Sequence, residues 1–153
     1  MSFWDWGVRA HGREGVDALL IQLQDAHGQC VAYLLWAAWA AAEGRELDEV
    51  LLAQGAELAG HWEKAATGPL RHARRELKAP APPVADDARA ALREQVRSAE
   101  FAAEGILMET LEALVPEPSG GPRDLRAALL AAAGAWPSGA PEGLLAELAA
   151  RIR

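Results

Sequence analysis

The chain has 153 residues, a formal net charge of −7 and one cysteine, Cys30. That length suits a single domain burying roughly 70% of its unfolded surface without help from disulfide or metal. A lone thiol excludes an internal disulfide and suits a reducing compartment, and the acidic balance argues against general binding to nucleic-acid phosphates.

The N-terminal stretch through Gly15 lacks a basic segment followed by a long apolar run, so no secretory signal is expected there. Alanine and leucine dominate and β-branched residues are few, which favours helix over strand. A short first helix is predicted around Phe3, Trp4 and Trp6, capped by Ser2 or Asp5, with Gly12 and Gly15 interrupting the segment after it. In the second, about residues 15–27, Val16, Leu19, Leu20 and Leu23 share one face and Gly28 is the natural stop. The third, about residues 30–43, is apolar on every side and should be central and surrounded. Its apolar run, Val31 to Ala42, would span about 18 Å of helix, well short of a ~30 Å hydrocarbon core.

The fourth helix begins near Leu47, with Leu51, Leu58, Trp62 and Ala65 as its inward stripe. Gly55 and Gly60 weaken it, or let a neighbouring helix approach closely. Thr67-Gly68-Pro69 should break or kink it before a short helix running to Leu77. Ala79-Pro80-Ala81-Pro82-Pro83 reads as a stiff extended connection. The longest helix follows, about residues 86–114, with Leu92, Val96, Ala99, Ala103, Leu107, Leu111 and Leu114 stepping by three or four. Residues 116–122 carry three prolines and two glycines and read as a linker. Two short helices, about 123–133 and 141–152, close the chain. The expected fold is therefore all-α: a bundle of about five core helices over residues 1–115, the linker 116–122 as a separable junction, and a C-terminal helical hairpin over 123–153 whose leucines pack it together or onto the bundle.

Three stretches carry a resemblance. One is Phe3-Trp4-Asp5-Trp6 with Gly15-Val16, Leu23-Gln24-Asp25-Ala26-His27-Gly28 and Leu34-Leu35. The second is Trp62 with Pro69-Leu70-Arg71, Arg74-Arg75 and Leu77-Lys78; the third is Ala99-Glu100 with Ala103-Glu104. Together they span roughly residues 2–115, and the chain resembles a family of small uncharacterised bacterial proteins, domain-of-unknown-function family 2390. Gln29-Cys30 departs from the family pattern, which has an apolar and then an acidic residue after the His-Gly pair. The resemblance implies a helical protein and brings no activity or functional residue.

Candidate sites stand beside plainer roles. Asp25 and His27 could form a general-base pair, but a C-terminal cap explains them as well, and residues two apart on a helix do not face each other. Glu100 and Glu104, and likewise Glu57 and His61, are four apart on one helix face. The Glu-x-x-His pairs of di-iron bundles and the usual zinc patterns are missing, so no metal and no cofactor are expected, and Glu100 reads as solvated or paired with Arg97. No Gly-x-Ser-x-Gly elbow, phosphate loop or dinucleotide glycine pattern occurs. Cys30 reads as a small core residue. Trp36, Trp39 and Trp62 read as packing; of Trp4 and Trp6, one can bury and the other mark a contact surface. Arg71, Arg74, Arg75 and Lys78 follow i, i+3, i+4 and i+7, one basic face in an acidic chain. The leading expectation is a cytoplasmic interaction adaptor or regulator whose basic face meets an acidic protein surface. The alternative is a helical protein, with or without catalysis, that binds a small molecule between its helices.

Overall fold

A computed structural model describes all 153 residues. It contains eight α-helices and no strand: α1 (Phe3–His11), α2 (Val16–His27), α3 (Val31–Ala42), α4 (Glu49–Trp62), α5 (Gly68–Glu76), α6 (Asp86–Leu114), α7 (Leu125–Ala135) and α8 (Glu142–Arg151), with a π-helical turn (Glu63–Thr67) joining α4 to α5. No helix is long and apolar enough to cross a membrane.

Local chemistry sets the boundaries. The Ser2 hydroxyl accepts from the Asp5 N–H at 3.1 Å and starts α1, and the Asp48 carboxylate accepts from the Leu51 N–H at 2.8 Å and starts α4. Gly28, at φ 61°, ends α2, and the Gln29 N–H reaches back to the Leu23 carbonyl.

α3 is the axis. Nine consecutive residues, Tyr33 to Ala41, are buried, and α3 packs against α1, α2, α4, α6 and α7. Its aromatic rings anchor the neighbours. Phe3 of α1 stacks on Trp39 with centroids 5.4 Å apart, and Tyr33 lies between Trp36 and Trp136. The Tyr33 hydroxyl donates to the Leu52 carbonyl at 2.9 Å. Gly55 of α4 passes so close to Trp36 that a Cβ there would lie 2.6 Å from a ring carbon, so at Gly55 the sequence is choosing close approach over helix propensity.

The C-terminal hairpin belongs to this core. Leu125, Leu129, Ala132, Ala133, Leu145, Leu148, Ala149 and Ile152 join the same hydrophobic cluster as α3. Its connection is tied down as well: the Arg123 N–H donates to the Ala41 carbonyl at 2.8 Å, and Trp136 Nε1–H donates to the Gly28 carbonyl at 2.8 Å.

Three elements differ from the sequence reading. In α4 the buried positions are Leu52, Gly55 and Ala59, whereas Leu51, Leu58 and Trp62 of the expected stripe are half-buried and Ala65 is exposed, because the close approach at Gly55 turns that face onto Trp36. The Gly68-Pro69 break is a wide turn through which the chain stays helical. Proline supplies no N–H, and the π turn absorbs the missing bond; Gly68 fits because a Cβ would lie 2.6 Å from the Glu63 carbonyl oxygen. In α6 the inward stripe is Arg89, Arg93, Val96, Glu100, Ala103, Leu107 and Leu111, whereas Leu92 is 48% exposed and Ala99 is exposed. Charged residues occupy inward positions there because the facing helix, α5, presents arginines rather than an apolar stripe: Arg71 and Arg74 meet Glu100, and the largely covered side chain of Arg89 reaches Asp86 at 2.7 Å.

Candidate functional site

The π turn, α5 and the middle of α6 meet in a network of ion pairs. Glu100 on α6 is the hub, its side chain only 8% exposed. Arg74 of α5 grips it with Nε on one carboxylate oxygen and Nη2 on the other, the second contact at 3.3 Å. Arg71 places its Nε 3.5 Å from Glu100 and donates through Nη1 to Glu63 at 2.5 Å. The Thr67 hydroxyl donates to the other oxygen of Glu63 at 2.7 Å. Paired and hydrogen-bonded in this way, the buried carboxylate of Glu100 is tolerated. At the surface, Arg75 donates to Asp25 of α2 at 2.7 Å, and that hydrogen bond holds the Asp25 carboxyl below its ordinary range.

The basic face seen in the sequence is therefore largely turned onto the fold's own acids. Arg71, Arg74 and Arg75 are all paired, and Lys78 is exposed without an ion pair. Arg97, the expected mate of Glu100, instead lies 3.6 Å from Glu94. His27 accepts the Ser138 hydroxyl at its backbone carbonyl and makes no side-chain bond to Asp25. Trp6 is in the core; Trp4 meets the exposed Phe101 edge-on at 5.1 Å. Glu57 and His61 line an open groove between α4 and α6, and no three His, Cys, Asp or Glu residues gather to hold a metal.

Beside the network lies a cavity of about 130 Å³ walled by α1, α2, the start of α3, the π turn, α5 and α6. Its polar wall includes His11, Asp17, Glu63, Thr67, Arg71 and Glu104; Leu20, Leu35, Leu107 and Met108 supply much of the rest. His11 is oriented by the Gly7 carbonyl, 3.0 Å from its Nδ1. Cys30 also lines the cavity, with its thiol pushed up to about 12 by burial, so it stays protonated and is no nucleophile.

Glu104 differs from the other acids of the site. It is half-buried, faces the cavity, and makes no hydrogen bond or ion pair. Burial, and then the negative charge of Glu100 one turn away, push its carboxyl above the ordinary value of 4.5, against the pull of Arg71 and His11. A carboxyl that holds its proton more readily in the fold than in the unfolded chain costs stability above both values, and that cost disappears as pH falls through them. Glu104→Gln is therefore expected to raise the thermal midpoint at pH 7 and to leave it unchanged at pH 4. A lower midpoint at pH 7 would show that Glu104 holds a stabilising bond.

Sequence reasoning missed Glu63 and Thr67. Glu63, Thr67 and Arg71 are spaced i, i+4, i+8, a helical signal hidden by reading Gly68-Pro69 as a break.

Fold and site together define an all-α protein with a charged cavity buttressed by an internal arginine–glutamate network. The chain belongs to the family described as "Protein of unknown function (DUF2390)", whose model matches residues 2–111. Gln24, Asp25, Arg71, Arg74, Arg75, Glu100 and Glu104, all among the residues carrying that resemblance, gather at this network and cavity. No curated protein and no solved structure matches the chain at a significant level.

Proposed function

We propose that the protein binds a small molecule in the cavity between α2, α3, the π turn and α6. The observation that carries this reading is Glu104: an unpaired, half-buried carboxylate beside Glu63 and Glu100, both of which are fully engaged. A half-buried group left unsatisfied beside paired neighbours is available for a ligand, and a hollow with an apolar lining and a few convergent polar groups is the usual form of a small-molecule site. The π turn adds support, since such turns are frequent at functional positions. A nuclear magnetic resonance screen of small fragments tests it. Binders should shift the amides of Thr67, Ala32 and Glu104, and Ala32→Leu, which narrows the cavity, should remove those shifts. Fragments that leave these amides unmoved while shifting others would reject the site.

A specific observation also favours the interaction reading. No residue from Gly68 to Ala99 is buried, although most of that stretch is helical, and Val84 and Leu92 are about half exposed there. We infer that a protein partner would meet this hairpin of α5 and the first half of α6. An acidic partner would have to compete with Glu63, Glu100 and Asp25 for the arginines, which weakens the case for contact through Arg71, Arg74 and Arg75. Lys78 is the one member of that face free to meet an acidic partner directly.

A further inference from the structure

The ligand class follows from the cavity's charge, its apolar lining and its size, and this step rests on the small-molecule reading above. The wall carries three carboxylates, half-buried Glu63 and Glu104 and exposed Asp17, against one guanidinium, Arg71, and the exposed imidazole of His11. Behind it, Glu100 and Arg74 neutralise each other. Glu63 and Arg71 pair across the wall, so the unbalanced charge belongs to Asp17 and Glu104. Leu20, Ile21, Leu35, Leu107 and Met108 supply most of the apolar lining, and Gln24 and Thr67 add neutral polar groups.

We propose that the cavity takes a small organic cation, a protonated primary amine on a short alkyl chain, with its ammonium at Glu104 and its chain against Leu35, Leu107 and Met108. A metal ion is the wrong cation here. Calcium asks for six to eight oxygen ligands and zinc for about four ligands in tetrahedral array, and the site gathers no such group. An anion would meet Glu104 in a half-buried setting where repulsion is poorly screened, with exposed Asp17 adding to it from the rim. The N-terminus of α3 opens on the same cavity, but the half charge of a helix end is smaller than the two full charges opposing it. Size sets the limit on the chain: an apolar cavity of about 150 Å³ admits a ligand of benzene size, so one of about 130 Å³ suits roughly the same number of heavy atoms.

The probes are n-butylammonium, n-butanol and butyrate, matched in size and differing in charge, titrated into the full chain at constant ionic strength and followed by amide shifts. n-Butylammonium should bind saturably at the amides of Thr67, Ala32 and Glu104, about tenfold or more tightly than n-butanol, and butyrate should not bind. Glu104→Gln, with an unchanged helical spectrum, should weaken n-butylammonium by about tenfold and leave n-butanol as it was; Asp17→Asn should act in the same direction. If n-butanol or butyrate binds at these amides as tightly as the amine, or if Glu104→Gln leaves amine binding unchanged, the cation assignment is wrong while the cavity remains a ligand site. If none of the three probes moves these amides, the amine assignment falls; if the fragment screen is also silent there, the small-molecule reading falls with it.

Discussion

Deleting residues 116–153 is expected to abolish the cooperative thermal transition. The prolines and glycines of 116–122 give this tail the sequence of a removable appendage, yet its two helices complete the cover of α3. Leu125, Leu129, Leu145, Leu148 and Ile152 are all buried in the common cluster. Each such side chain contributes about 1.5–3 kcal/mol on burial, so five of them account for about 8–15 kcal/mol, comparable with the whole stability of an ordinary domain. The deletion would also uncover α3 and strip Trp136 from Tyr33. Circular dichroism of the 1–115 chain should show reduced helicity and a shallow melt. A sharp transition in that chain would mean that the first six helices form a core of their own.

Glu100→Ala should be the most damaging single change at the site. It leaves Arg71 without one of its two carboxylates and Arg74 without its only partner, with their side chains 13% and 25% exposed. Removing one member of a buried pair costs about 3–5 kcal/mol, because the remaining charge stays desolvated. Both guanidiniums keep some access to water, and Arg71 keeps Glu63, so about 3 kcal/mol is expected, a fall of roughly 6–12 °C in the midpoint for a chain of this size. Arg74→Ala in the Glu100→Ala background should cost less than it does alone, the sign of direct coupling. By contrast, Arg75→Ala breaks an exposed pair with Asp25 and should cost about 0–1 kcal/mol. Equal effects of Glu100→Ala and Arg75→Ala in a denaturant melt would show that the network is not the buttress described above.

The helices themselves were legible in the sequence because their signals are local. The cap at Ser2, the stop at Gly28, the four-residue steps of α2 and the all-round apolarity of α3 depend only on near neighbours, and each element forms where those signals put it. Membership of the family was legible for the same reason, since its motifs are short and contiguous. What depended on partners was not. The face of α6 that turns inward was settled by α5, whose arginines draw Glu100 in and leave Leu92 half exposed. Whether four basic residues formed a free face or an internal network depended on Glu63, Glu100 and Asp25, distant in sequence by up to 50 residues. The sequence by itself determined which segments are helical and where most of them end, the passage through Gly68-Pro69 excepted, because backbone hydrogen bonding and apolar periodicity act within a few residues. Only the tertiary structure decided which charges are neutralised, which carboxylate is left for a ligand, and that the C-terminal hairpin is core, because ion pairing and burial are properties of surfaces brought together by the whole chain.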